Sequence, residues 1–377
     1  MLKRNLSSLP IPPKYLTKLD EKGYKTARDL IDTQPLEIAK DMGISNQEAL
    51  DLWKLASPPD CQSSRTTASS TALEIFSKRQ NVRGIVTFCR ALDHLLSPGN
   101  GFPSGEVTEV CGQPGIGKTQ IAIQAAVNAT IPRLLGGVGG AAVYIDTEGS
   151  FVVERVRQIA RRLVADLRAK TLASERKKAD NADSSARLQA ARSYTEEHIL
   201  KNIHYFRVFN YSEQIAVINS LQSFLAAHTD VRVVIVDSIS CHFRQGFEDM
   251  ALRTRILASM GQKLHSYANH NNVAVVLTNQ VTTKISKATG PTLVPALGEG
   301  WGHVCTNRLV IQWPPHANSG GRNDSRIANL TKSATRRPGE AEFRVVAAGI
   351  RDVDVASASR SDDARQPALS KRPRLGQ

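Results

Sequence analysis

Cysteine, long apolar runs and acidic charge are all in short supply in this 377-residue chain. Cysteine occurs five times, at positions 61, 89, 111, 241 and 305, without a C-x-x-C pair and with an odd total. That pattern argues against a disulfide framework or a zinc site and reads as reduced thiols in an intracellular protein. The apolar runs Val233 to Val236 and Val273 to Leu277 fall far below the roughly 18 residues that a membrane-spanning helix needs, so no membrane association is expected. The N-terminus, Lys3 and Arg4 followed by Pro10, Pro12 and Pro13, lacks the apolar stretch of a secretory signal. Acids number 35 against 49 Lys and Arg, for a net charge of +14. Such an excess favours polyanionic partners, nucleic acid among them. What is present, 41% hydrophobic and 22% charged residues, can bury a sizeable core. The length exceeds one average domain, so a large domain with a small module is expected.

Residues 1–56 read as the small module. From Pro13 to Leu55 apolar residues recur at helical spacing, broken at Gly23 and Gly43. Gly43 as a turn and Ser45 as an N-cap make a helix, turn, helix pattern that resembles a helix-hairpin-helix; plain helical packing fits it equally well. Residues 57–70 hold five Ser, two Thr and two Pro among fourteen positions, a linker composition. Residues 71–352 alternate β-like runs with helical patterns: Glu106 to Val110, Ala142 to Asp146, Ile203 to Val208, Arg232 to Asp237 and Val273 to Thr278. Such alternation predicts a parallel sheet covered by helices. Three further runs, Arg308 to Trp313, Arg326 to Thr331 and Glu342 to Ala347, lack long helices between them and predict an antiparallel extension. Arg161 to Arg192, with nine basic and four acidic residues, reads as a solvated helix or partly disordered insertion. Residues 353–377 read as a disordered basic tail, whose Lys371-Arg372-Pro373-Arg374 fits an import signal or an incidental basic end.

The most specific motif is G-Q-P-G-I-G-K-T, formed by Gly112, Gln113, Pro114, Gly115, Ile116, Gly117, Lys118 and Thr119. It fits the phosphate-binding pattern and stands between an expected strand and an amphipathic helix, Gln120 to Ala129. The glycines let backbone amides face the phosphates, Lys118 reaches the β- and γ-phosphates, and the Thr119 hydroxyl completes a Mg²⁺ shell. Val233-Val234-Ile235-Val236-Asp237 then supplies a buried strand ending in an acid, Asp237, for the metal. Asp146-Thr147-Glu148-Gly149 leaves another strand at the same edge. Glu148 is a candidate to activate water, or alternatively a helix-capping acid. Gln280 follows a third apolar strand, where an uncharged amide can sense the γ-phosphate. Val281 to Pro295 reads as a long functional loop.

In this order, P-loop, D-T-E-G, V-V-I-V-D and L-T-N-Q (Leu277 to Gln280), the chain resembles the RecA superfamily. With its helical module it resembles the eukaryotic branch, the Rad51 recombinases. Ile131 to Val138, Ile145 to Phe151 and Leu293 to His303 are most similar to the C-paralogue branch. The resemblance, which runs from about Leu6 to Asp352, implies a RecA-like P-loop ATPase core, a largely parallel sheet extended by antiparallel strands. It implies ATP and Mg²⁺ on Gln113 to Thr119, Arg155 against adenine, Gln280 at the γ-phosphate and His303 meeting a neighbouring subunit's nucleotide. Arg244 to Arg255 and Val281 to Pro295 match two DNA-binding loops, which makes Arg244, Arg253, Arg255, Lys284 and Lys287 candidates for phosphate contact. The implied function is DNA-dependent ATP hydrolysis in homologous recombination and double-strand break repair in the nucleus; the alternative is a scaffold subunit of a recombinase paralogue complex that binds ATP without hydrolysing it. The implied partners are single-stranded DNA, branched recombination intermediates, other recombinase paralogues and the main recombinase. One departure stands out: the filament motif F-x-x-A is here Ser69-Ser70-Thr71-Ala72, and loss of a buried aromatic anchor costs about 2–4 kcal/mol. Small hetero-oligomers rather than long filaments are therefore expected.

Overall fold

The computed structural model of the chain describes residues 5–33, 35–56, 71–80, 82–97, 100–175, 182–244, 247, 249–286, 290–315 and 325–353. It divides into two compact units, residues 1–81 and 82–377. In the first, helices α1 (Pro13–Glu21), α2 (Ala27–Asp32), α3 (Pro35–Met42) and α4 (Asn46–Ala56) enclose Leu19, Leu30, Ile38, Ala49 and Leu52. Polar side chains fix where these helices start. Thr26 and Asp29 form a capping box on α2. On α4, Ser45 N–H donates to Glu48 Oε2 at 3.0 Å while Glu48 N–H donates to Ser45 Oγ at 3.2 Å. Gly43 turns the chain between α3 and α4 at φ +61°. Helix α5 (Ala72–Gln80) follows, with Leu73 and Phe76 exposed. The expected linker 57–70, including Ser69, and the tail from residue 354 onward lie outside the described residues.

Among the described residues the second unit holds ten strands: β1 (Val107–Gly112), β2 (Ala141–Asp146), β3 (Ile203–Arg207), β4 (Val231–Asp237), β5 (Ala274–Ser286), β6 (Gly290–Pro295), β7 (Asn307–Gln312), β8 (Ser325–Lys332), β9 (Gly339–Val346) and β10 (Gly349–Asp352). Nine of them form one sheet in the order β10-β9-β8-β7-β1-β5-β4-β2-β3, with β6 paired to β5. Helices α6 (Arg90–Leu96), α7 (Lys118–Ala129), α8 (Val153–Glu175), α9 (Ala182–Ser193), α10 (Glu196–Lys201), α11 (Tyr211–Ala227), α12 (Met250–Asn271) and the one-turn α13 (Glu299–Gly302) complete it. The central strands are buried on both faces because each face has its own helices. Ala142, Tyr144, Val233, Ile235 and Val276 pack with α7 and α8, whereas Val143, Ile145, Val234, Val236 and Leu277 pack with α11 and α12. This is why those runs are continuously apolar instead of alternating.

Two expectations need correction, and a third is narrowed to one of its alternatives. The antiparallel extension starts one strand later than predicted. β7 runs parallel to β1, and antiparallel pairing begins with β8. The expected long loop from Val281 is instead largely a hairpin: β5 continues to Ser286 and pairs antiparallel with β6, Val281 opposite Pro295 and Thr283 opposite Leu293. Pro291 and Pro295 both sit in this outer strand, where a missing N–H breaks no ladder. Thirdly, Arg161 to Glu175 belongs to the long helix α8, which buries Ile159, Leu163 and Leu167 at i, i+4 and i+8. The arginines cover the opposite face, so of the two readings it is the solvated helix that describes residues 161–175. Residues 176–181 lie outside the described residues.

Candidate nucleotide and nucleic-acid site

The carboxyl ends of β1, β2, β4 and β5 lie side by side, because all four strands are parallel neighbours in the sheet. In a parallel sheet this is the edge where ligands collect. After β1 the chain turns through Gly112 to Gly117 into α7. Gly115 at φ +75° and Gly117 at φ +111° adopt left-handed conformations that side-chain-bearing residues rarely take, and Gly117 is the N-cap of α7. Lys118 opens the helix, and its Nζ donates to the Gly112 and Gln113 carbonyls, both at 2.9 Å. Burial lowers the Lys118 pKa, while the charges of Glu148 and Asp237 oppose that shift. The ammonium thus folds back over the turn whose amides would cradle a phosphate.

β2 ends at Asp146, a buried acid whose role the sequence did not reveal. Its Oδ1 accepts from Gly149 N–H at 2.7 Å and Ser150 N–H at 3.2 Å, and its Oδ2 from Phe151 N–H at 3.2 Å and the Tyr205 hydroxyl at 3.1 Å. Arg207 of β3 donates to the Asp146 carbonyl at 2.9 Å. The Phe151 ring lies between Tyr144 and Tyr205, with centroids at 4.6 and 4.9 Å. Together these contacts define the turn that carries Glu148. Its Oε1 accepts from Ser238 Oγ at 2.7 Å and from Gln280 Nε2 at 2.9 Å. Gln280 Oε1 in turn accepts from the Arg244 guanidinium. A single chain, Ser238–Glu148–Gln280–Arg244, therefore joins the ends of β2, β4 and β5 to the segment that follows β4.

Asp237 is 2% exposed. It accepts from the Tyr144 hydroxyl at 2.7 Å, Thr278 Oγ1 at 2.5 Å and Ser150 Oγ at 3.3 Å. Burial, followed by the Asp237 charge, pushes the Tyr144 pKa well up and keeps its proton available for donation. Among the described residues no group of three His, Cys, Asp or Glu could hold a metal. A divalent ion here would rest on Asp237, the Thr119 hydroxyl, phosphate oxygens and water. Hard oxygen donors, few of them from protein, suit Mg²⁺.

The remaining candidates separate. Arg155 Nε donates to Gln120 Oε1 at 2.7 Å, one residue past Thr119, and its other nitrogens hold the Val346 and Ala347 carbonyls at 2.8 Å. It lies beside the first turn of α7, with most of its donors occupied by the fold. Arg253 Nε donates to the Phe243 carbonyl at 2.6 Å, which makes it a brace for the segment before α12. Arg255, Lys284 and His303 are exposed; Lys287 lies outside the described residues. Arg326 donates to the Ile116 carbonyl at 3.1 Å and stacks over Trp313 at 4.3 Å. This pair flanks the phosphate turn and was missed because Trp313 read only as the end of a strand.

The family profile described as Rad51 matches residues 78–195 and 184–353, a span that contains every group described above. The chain belongs to the Rad51 family. It is 39% identical over 380 residues to the DNA repair protein RAD51 homolog 3 of Cricetulus griseus, with 99% of this chain and 98% of that protein covered. The protein of the same name in Dictyostelium discoideum is 42% identical over 276 residues, covering 73% and 67%. The DNA repair and recombination protein RadA of Metallosphaera sedula is 31% identical over 342 residues, covering 90% and 92%. The mixed, mostly parallel sheet fits the RecA-like core of this family, and no helix among the described residues is long and apolar enough to cross a membrane.

Proposed function

We propose that this chain is an ATP-hydrolysing, DNA-binding recombinase paralogue of the RAD51 homolog 3 type, acting in homologous recombination and double-strand break repair. In this reading it assists the main recombinase on single-stranded DNA and in processing branched intermediates. The observation that carries the reading is the Ser238–Glu148–Gln280–Arg244 chain beside Lys118 at one sheet edge. Lys118, with the amides of Gly112 to Thr119, binds the phosphates, and Mg²⁺ bound by Thr119 and Asp237 would neutralise charge on the leaving phosphate. Glu148 orients the attacking water and accepts its proton, and Gln280 places its amide toward the γ-phosphate. A DNA phosphate that draws Arg244 away from the Gln280 side-chain oxygen removes one of the two contacts that hold this side chain, which then turns its amide N–H to the γ-phosphate, so hydrolysis responds to DNA. Arg255 and Lys284 add exposed positive charge to the same surface, in keeping with the net charge of +14. His303 faces a neighbouring subunit, another recombinase paralogue, in a small hetero-oligomer in the nucleus. The helical unit adds phosphate contacts through the amides of its α3–α4 turn.

The test is Glu148→Gln. Binding of a fluorescent ATP analogue stays within about twofold, while turnover drops by about 100-fold or more, the size expected for loss of a base. Undiminished turnover removes Glu148 from the chemistry.

A further inference from the structure

Glu109 is an acid in the middle of β1, fully buried on the face that packs with α12. A carboxylate there has lost its water, so its partners must replace that hydration. Three do so. Arg308, opposite it on β7, donates from Nε to Oε2 at 2.5 Å. Asn279 Nδ2 and Trp301 Nε1 donate to Oε1 at 2.7 and 2.9 Å. Burial acts to lower the Arg308 pKa, but the Glu109 charge and hydrogen bond outweigh it and raise the pKa on balance.

Each partner leads to a different part of the site. Asn279 precedes Gln280 and also donates to the Ala296 carbonyl at 3.0 Å. The Ala296 N–H in turn donates to the Gln280 carbonyl at 2.8 Å. Both ends of the β5–β6 hairpin are thereby clamped at its base. Trp301, 3% exposed, lies in α13, two residues before His303. Lys332 Nζ holds the Gly302 and Cys305 carbonyls at 2.8 and 2.6 Å, and Gly261 of α12 leaves the space into which Val304 packs. The cluster is also incompletely satisfied: among the described residues, Asn279 Oδ1 and Arg308 Nη2 are buried without a hydrogen-bond partner. A buried polar atom left unmet costs free energy, so this network is held at a cost to the fold.

We propose that Glu109 is a positioning residue that yokes the base of the β5–β6 hairpin to the α13 turn, so that Gln280 and His303 respond to nucleotide and to DNA as one unit. This rests on the reading above that ATP and single-stranded DNA bind this core. An ion pair kept only for stability requires no indole donor from α13 and no amide beside Gln280. By contrast, a coupling element requires both. Coupling between two binding sites is reciprocal: the factor by which ATP tightens DNA equals the factor by which DNA tightens ATP.

The experiment measures both factors in the full-length chain, with a labelled oligo-deoxythymidine strand and a non-hydrolysable ATP analogue, for wild type, Trp301→Phe and Glu109→Gln. Trp301→Phe is the decisive variant, because it removes one N–H donor and keeps most of the apolar bulk. Glu109→Gln leaves the buried Arg308 charge without its counter-ion and tests the fold as well. In wild type each ligand tightens the other by about fivefold or more. In Trp301→Phe each ligand alone binds within about twofold of wild type, but the mutual factor falls below about twofold. A Trp301→Phe chain that melts earlier yet keeps the full mutual factor shows a purely structural role and overturns the proposal. A wild-type chain with no mutual factor contradicts the underlying reading of function and takes the proposal with it.

Discussion

The two halves of the sheet use polar residues in opposite ways. In the parallel half, β1, β2, β4 and β5 are buried on both faces, and apart from Thr108 and Glu109 inside β1 their polar groups gather at the carboxyl ends, where Lys118, Glu148, Asp237 and Gln280 meet. There the partners are other site groups, held in hydrogen bonds that a ligand can exchange. In the antiparallel half, β8 to β10, several charged and polar groups serve the fold instead. Arg351 pairs with Asp166 at 2.8 Å, Asp352 accepts from the Arg90 N–H at 2.8 Å, and Arg155 caps the Val346 and Ala347 carbonyls. Strand direction accounts for the difference. Parallel strands bring equivalent ends together, whereas antiparallel neighbours end at alternate edges in tight turns.

The largest effect separating the halves is expected from Lys118→Ala. Loss of two or three charge-assisted hydrogen bonds to phosphate weakens nucleotide binding by about 100-fold or more, with little change in the denaturant midpoint. Isothermal titration checks the first part and urea unfolding the second. A drop in stability with binding intact would place Lys118 among the structural cations of the other half.

Neutralising Arg244 and Arg255 together sharpens the comparison. Single-stranded DNA binding weakens uniformly across sequences, and the slope of log K against log salt falls by about 0.7 for each phosphate that is no longer neutralised. Arg253→Ala loosens the segment before α12 but leaves that slope unchanged, because its Nε serves the Phe243 carbonyl. A salt titration of the three variants by fluorescence anisotropy distinguishes the two roles.

The smallest effect concerns Asp93, a buried acid of α6, which packs on β9. Burial pushes its pKa up to about 6, although the Thr87 N–H bonds it at 2.7 Å. An acid whose folded pKa is raised contributes most below its unfolded value near 3.8, and that contribution is lost as pH rises through 6. Asp93→Asn therefore matches wild type in stability near pH 4 and exceeds it by about 2 kcal/mol at pH 7.5. Turnover is unaffected. Urea midpoints across that range check the sign.

Much of the parallel half could be read from sequence, for a physical reason. A glycine-rich turn, and apolar runs that give way to a few polar residues at one end, are local patterns. The P-loop, Glu148, Asp237 and Gln280 each carry one. Glu109 could not be read this way, because Asn279, Trp301 and Arg308 lie 170 or more residues away and a lone acid in a strand resembles an exposed position. Asp146 was passed over because its work is done through backbone amides of the next five residues. The β5–β6 hairpin was hidden because Val281 to Pro295 has no continuous apolar run and read as a loop, and the arginines of α8 left a solvated helix and an insertion both open. For α8, composition described the exposed side of a helix that packs with its other side.

ATP turnover by the wild-type chain, measured with and without single-stranded DNA against a Glu148→Gln background, tests the central claim most directly. The account predicts turnover clearly above that background and a further rise when DNA is added, because Arg244 then releases Gln280. Turnover no greater than in Glu148→Gln, with ATP still bound, would contradict it and leave a nucleotide-locked scaffold in place of an ATPase.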